Sequence, residues 1–141
     1  MILSKINIAL DKALVAFAQA NSIDIAFPGK TYTMNNNVFL QVKRLPGQIE
    51  NTSIGPNGVL TYYGIYQIDI VTPDTLAQNV GLGKNAELAD MLTTNPFFNG
   101  AVLTESDVRL TVTDNRLGPM LQEKGVWYQP LSVSYRAHKI L

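Results

Sequence analysis

The sequence predicts an α+β fold, a mostly antiparallel β-sheet with two helices packed on one face. Three observations predict it. Only two segments, 4–21 and about 84–94, place apolar residues at the three-and-four spacing of a helical face. Several other segments alternate apolar and polar residues with the period of a strand. The element order is helix, strand, long strand, helix and then further strands, which is not the regular βαβ alternation of a parallel sheet. The length of 141 residues suits one domain, residues 1–141, large enough to bury a core without staples.

Composition narrows the class further. Hydrophobic residues make up 46% of the chain, which excludes general disorder. Lys plus Arg and Asp plus Glu number 11 each, so no global basic field draws the chain to nucleic acid. The absence of cysteine removes disulfides, thiolate metal sites and thiol nucleophiles.

In the N-terminal helix, Ile6, Leu10, Ala13, Leu14, Phe17 and Ala18 form the apolar stripe, and Ser4 is the expected N-cap. Lys5, Asp11 and Lys12 interrupt any continuous apolar run, so neither a signal peptide nor a membrane span is expected. Pro28-Gly29 and Asn35–Asn37 mark turns. In Val38–Leu45, Val38, Leu40 and Val42 share one strand face, opposite Gln41 and Lys43. Residues 46–58, PGQIENTSIGPNG, are expected to form an extended loop, and thirteen residues without structure usually have a job.

Val59–Val71 is the long central strand. Tyr62, Tyr66, Ile68 and Ile70 fall on one face with Gly64. Tyr63, Ile65, Gln67 and Asp69 fall on the other. The second helix carries Leu88, Met91 and Leu92 on its stripe and ends at Asn95-Pro96. A hairpin is expected around Thr104–Ser106, with Val108, Leu110 and Val112 alternating after it, then a loop NRLGPMLQEKG. The last strand, Trp127–Arg136, places Trp127, Leu131, Val133 and Tyr135 together. Pro130 predicts an edge or a bulge there.

No enzyme chemistry emerges. His138 is the single histidine and sits three residues from the end, without a nucleophile or a second metal ligand. GLGKNA, Gly81–Ala86, matches the short form of a dinucleotide fingerprint. However, it lies about nine residues beyond Val71 instead of in a tight turn, and no parallel βαβ half follows. A small nucleotide-binding domain is therefore the alternative of another class. The carboxylates are scattered. Asp69 is expected on an exposed or interfacial face, and Asp114, Asn115 and Arg116 at a strand end. Lys43-Arg44, Arg109 and Arg116 are the best basic candidates, but they form no run and no interleaved stacking aromatics. No catalytic, metal or cofactor-binding residues are expected.

The informative feature is the two-faced central strand. A sheet with one face on a core needs only one apolar face. Phe39, Tyr63 and Ile65 lie on the side away from the first core. Either they form a protein–protein interface or another element of the chain covers them. The interface is the stronger expectation, because one sheet face can hold both helices.

The N-terminal helix and the segments FLQVKRLPGQ, IGPNGVLTYYGIYQIDIVTP, GLGKNAELADMLTTNPFFNGAVL and GVWYQPLSVSYRAH, taken in chain order, resemble the tail terminator-like proteins of long-tailed bacteriophages. The resemblance spans nearly the whole chain. It implies a structural protein of the virion, assembled in the host cytoplasm. As a homo-oligomeric ring, usually of six copies, it caps the head-proximal end of the tail tube. Its implied partners are sister copies, the tail tube protein and the neck or head-completion proteins. DNA passes through the lumen without specific binding, and no membrane is involved. The expected subunit or tail-tube interface takes in Phe39, Lys43, Arg44, Ile49, Ile54, Tyr63, Ile65, Arg109 and Arg116. Another ring-forming neck or tail-tube protein of similar fold is the nearer alternative.

Overall fold

The computed structural model describes residues 2–30, 32, 33, 37–51, 60–74, 82–95, 98, 100, 102–105, 107–123 and 125–139. Helix α1 (Ile2–Asn21) opens the chain, followed by β1 (Ile25–Ala26), β2 (Phe39–Asn51) and β3 (Leu60–Pro73). Helix α2 (Leu82–Thr93) comes next, then β4 (Val102–Glu105), β5 (Val108–Leu117), β6 (Leu121–Glu123) and β7 (Val126–Lys139). The strands form one sheet in the order β1-β2-β3-β7-β5-β4, with β6 paired to β7. Every pairing is antiparallel except β1 with β2.

Both helices lie on the same face, as expected. Ile6, Leu10, Leu14 and Phe17 of α1 and Leu88, Ala89 and Leu92 of α2 share one core with the sheet. The sheet contributes Leu40, Val42, Tyr66, Ile68, Ile70, Val108, Leu110, Leu131 and Val133. Fully burying a side chain of this size contributes about 1.5–3 kcal/mol, so this layer holds the fold in place of disulfides.

Polar contacts fix α1 at both sides of the sheet. Lys5 bonds Asp107 and Lys12 reaches Glu105 at 2.8 Å, tying the helix to the β4–β5 hairpin. Toward β2 and β3, Asp11 accepts from Arg44 Nη2 and from the Tyr66 hydroxyl, each at 2.6 Å. Ser4 lies inside the helix and is exposed, so it is not the N-cap. The helix stops where Ser22 takes a left-handed φ of 55° and the Ile23 amide returns to the Ala18 carbonyl at 3.0 Å.

The sheet departs from the expected one in five places, each through a choice of partner. Strand β2 does not stop at Leu45. It pairs β3 through Asn51, and a register shift between Pro46 and Ile49 absorbs the proline. Residues 52–58 of the expected loop lie outside the described residues. In β5 the ladder runs Val112↔Tyr135 and then Asp114↔Ser134, so Thr113 is an extra, bulged residue. Asp114, Asn115 and Arg116 thus sit inside a strand, not at its end. Part of the expected 115–125 loop is strand β6.

Pro130 lies within β7, at neither an edge nor a bulge. Its carbonyl accepts from the Gly118 amide at 2.7 Å. The N and C=O of one strand residue point to the same side, so the missing N–H faces the junction where β5 gives way to β6. Finally, β1, inside a segment read as turns, adds two residues beside Leu40 and Gln41.

Candidate functional site

The sheet face opposite the helices can be built row by row from the register. One row is Leu45, Ile65, Ser134 and Asp114. On one side of it lies Tyr63 with Arg136 and Thr111, then Thr61 with His138 and Arg109. On the other side lies Lys43, Gln67, Ser132 and Arg116. Rows two residues apart are about 7 Å apart along the strand, and neighbouring strands are about 4.8 Å apart.

This face divides into an apolar and a cationic half. Leu45, Tyr63 and Ile65 are exposed at 47%, 38% and 37%, and Leu45 and Ile65 are direct cross-strand partners. Beside them on β7 and β5 stand Arg136, Arg109 and Arg116, all exposed. None of the three makes an ion pair among the described residues.

The bulge at Thr113 sets where Arg116 lies. In an unbroken ladder residue 116 would face the helices. The extra residue puts Asp114 and Arg116 on the outer face and turns Asn115 inward. There the Asn115 Nδ2 donates to the carbonyls of Phe98 at 2.7 Å and Thr93 at 3.2 Å, holding the C-terminal end of α2. Near the other end of that helix, buried Asn85 donates from Nδ2 to the Ile70 carbonyl and the Thr72 hydroxyl, both at 3.0 Å. Two asparagines therefore fix α2 on the sheet, and Asn85 of the GLGKNA segment points into the protein.

The nine expected interface residues do not gather in one place. Tyr63, Ile65 and Arg109 lie on the outer face as expected, and the bulge brings Arg116 there. Lys43 is there too, but its Nζ is held 3.1 Å from Asp69 Oδ2. Phe39 is on that side but only 6% exposed, its ring 4.6 Å from that of Tyr32, so the chain covers it itself. Arg44 points the other way, to Asp11 under α1. Ile49 is in register with Tyr62, not Tyr63, and Ile54 lies outside the described residues.

Asp69 is not exposed either. It is 1% accessible, and it accepts a 2.7 Å hydrogen bond from Gln67 Nε2 in addition to the Lys43 contact. Residue-by-residue reading missed Leu45 and Arg136. Both were recoverable by parity, since Leu45 shares the face of Gln41 and Lys43, and Arg136 alternates with Tyr135.

A small groove of about 200 Å³ lies between α1 and β4, and two larger ones lie on the same helical side. One of about 540 Å³ runs between α1 and the Phe27–Lys30 segment, lined by Ile8, Val15, Phe27, Pro28, Lys30 and Arg44. The other, about 420 Å³, separates the end of α1 from the end of α2, lined by Ala16, Phe17, Ala20, Met91 and Thr94 among others. Neither contains a nucleophile beside a base, and the Asp11 carboxylate that also lines the first is taken up by Arg44 and Tyr66. Among the described residues no three His, Cys, Asp or Glu side chains are grouped to hold a metal, and no helix is long and apolar enough to cross a membrane.

The fold and this surface define a class: a two-layer α+β protein whose distinguishing feature is an exposed, mixed apolar and arginine face. A family model for phage tail terminator proteins matches residues 5–135, and the chain belongs to that family, which makes it a component of the phage tail. One solved structure is similar over 97% of this chain and 96% of its own, with a TM-score of 0.70 at 20% identity, which establishes a shared fold. No protein with a curated description matches.

Proposed function

We propose that this protein is the tail terminator of a long-tailed phage. It closes into a ring, expected to hold six copies, on the head-proximal end of the tail tube. There it stops addition of the tube protein and presents the surface that joins the neck. Its work is structural, not catalytic. The observation that carries this beyond family membership is the exposed Leu45–Tyr63–Ile65 surface. Large apolar groups in one patch, rimmed by polar residues, mark a protein contact. A closed ring requires two different surfaces on each copy, whose repeated rotation returns to the start.

Negative-stain images of the purified protein with tail tubes of its own phage test the proposal. A cap at one end of tubes of uniform length is the expected result. Decoration along the tube, or the absence of any end-bound particle, overturns it.

A further inference from the structure

The chain is neutral overall, yet its exposed arginines and the exposed acids of α2 lie on opposite faces. Three of its four arginines, Arg109, Arg116 and Arg136, stand on the outer sheet face without an ion pair among the described residues. On the opposite side of the molecule, α2 turns Leu88, Ala89 and Leu92 to the core and leaves Glu87 and Asp90 exposed. These two acids are one turn apart and also lack an ion pair among the described residues. Asp11, Asp69, Glu105 and Asp107, in contrast, are all satisfied within the chain.

Shape follows the same division. The arginine face carries the exposed triplet Leu45, Tyr63 and Ile65. Glu87 and Asp90 stand one helical turn before Met91 and Thr94, which line the groove between the ends of α1 and α2 with Ala16, Phe17 and Ala20. One face offers apolar side chains flanked by cations, and the other an apolar groove flanked by anions.

We propose that the outer sheet face of one copy docks on the helical face of the next. Tyr63, Ile65 and Leu45 enter the α1–α2 groove, and the arginines reach Glu87 and Asp90. This deepens the ring proposal and rests on it. The contact is heterologous, as a ring requires, and it joins unlike charges, whereas a two-fold arrangement of either face on itself would set like charges against one another. Tyr and Arg are the residue types that carry most interface energy. Asp114 among the arginines and Lys84 on α2 are exposed charges that oppose this match, but the sheet face keeps a net positive and α2 a net negative sign.

Double-stranded DNA is the competing occupant of an arginine face. A largely apolar triplet and an Asp114 carboxylate beside the arginines suit a protein surface better than a row of phosphates.

The test uses two charge-reversed full-length chains. One carries Arg116→Glu with Arg136→Glu, the other Glu87→Lys with Asp90→Lys. All four positions are exposed, and circular dichroism checks that each variant folds. In sedimentation, each alone is expected to associate roughly tenfold or more weakly than the wild type. A one-to-one mixture is expected to re-form wild-type particles, because each altered face meets an altered complement. Persistence of wild-type particles in either variant, or a mixture that stays dissociated, overturns the inference and leaves the ring proposal standing. A wild-type chain that caps tubes but never self-associates overturns the inference and the ring, but not the capping. Loss of binding to duplex DNA in the arginine variant with its rings intact assigns this face to DNA and also overturns the inference.

Discussion

At the scale of single residues, two positions show how the sheet is fitted to its core. Gly64 interrupts the apolar alternation of β3, and its cross-strand partner is Tyr135. A Cβ at position 64 would lie 2.3 Å from the Tyr135 hydroxyl and 2.6 Å from its Cζ. The glycine is therefore the space in which the tyrosine ring lies. Gly64→Ala is expected to destabilise the protein by about 1–3 kcal/mol, because the buried ring must leave its position; a thermal or urea melt measures it.

Tyr66 is the second such position. Burial, and then the hydrogen bond to the Asp11 carboxylate, hold its hydroxyl well above the usual tyrosine range. A tyrosine is neutral when protonated, and its folded form resists ionisation while its unfolded form ionises near 10.0. The stability it contributes is complete below pH 10 and is lost as pH rises beyond it, by about 1.4 kcal/mol per pH unit. Tyr66→Phe removes that dependence. Its stability should fall less steeply than the wild type's between pH 10 and 12, although at neutral pH it is lower by about 1–2 kcal/mol. Urea melts across that range, showing parallel slopes for the two proteins, would contradict the assignment. Alternation in the sequence placed both residues on the core face, but neither the ring over Gly64 nor the Asp11 contact is local in sequence.

Elements were legible where a run repeats one period and illegible where a partner sets the register. The stripes of α1 and α2 and the alternation of β3 read directly, because burial on one side imposes them. The bulge at Thr113 did not, since no residue there requires an irregular backbone. Its cause is the demand that Asn115 reach the end of α2 while β5 stays paired with β7. The same holds for β2, where Pro46 and Gly47 read as a turn but the long β3 partner carries the strand through them. Asp69 looked exposed for a related reason, as the groups that satisfy it include Lys43 on the adjacent strand.

The end of α1 yields the prediction proper to this scale. Ser22 occupies the left-handed position of the helix stop with φ 55° and is exposed. A side chain there costs what glycine avoids. Ser22→Gly is therefore expected to raise stability by about 0.5–1 kcal/mol, and a lower melting temperature would contradict the strain assigned to that residue.

At the scale of the whole molecule, the question is what the second face of β3 is for. The alternation placed Tyr63 and Ile65 together, and the structure leaves them exposed with Leu45, while the chain covers Phe39 by itself. If this patch is the subunit contact, its loss should separate assembly from folding. Tyr63→Asp with Ile65→Asp supplies that separation. Both side chains are already more than a third exposed, so little core is lost, and exposed substitutions usually change stability by under about 1 kcal/mol each. Docked against a partner, the same carboxylates would be buried beside apolar groups, at a cost of several kcal/mol. The double variant should therefore keep the wild-type circular dichroism spectrum and a cooperative melt, yet sediment as a monomer where the wild type forms rings. It should also leave tail tubes uncapped. Particles of unchanged size would remove this face from the ring contact, and loss of cooperative melting would mean that the two side chains serve the fold itself.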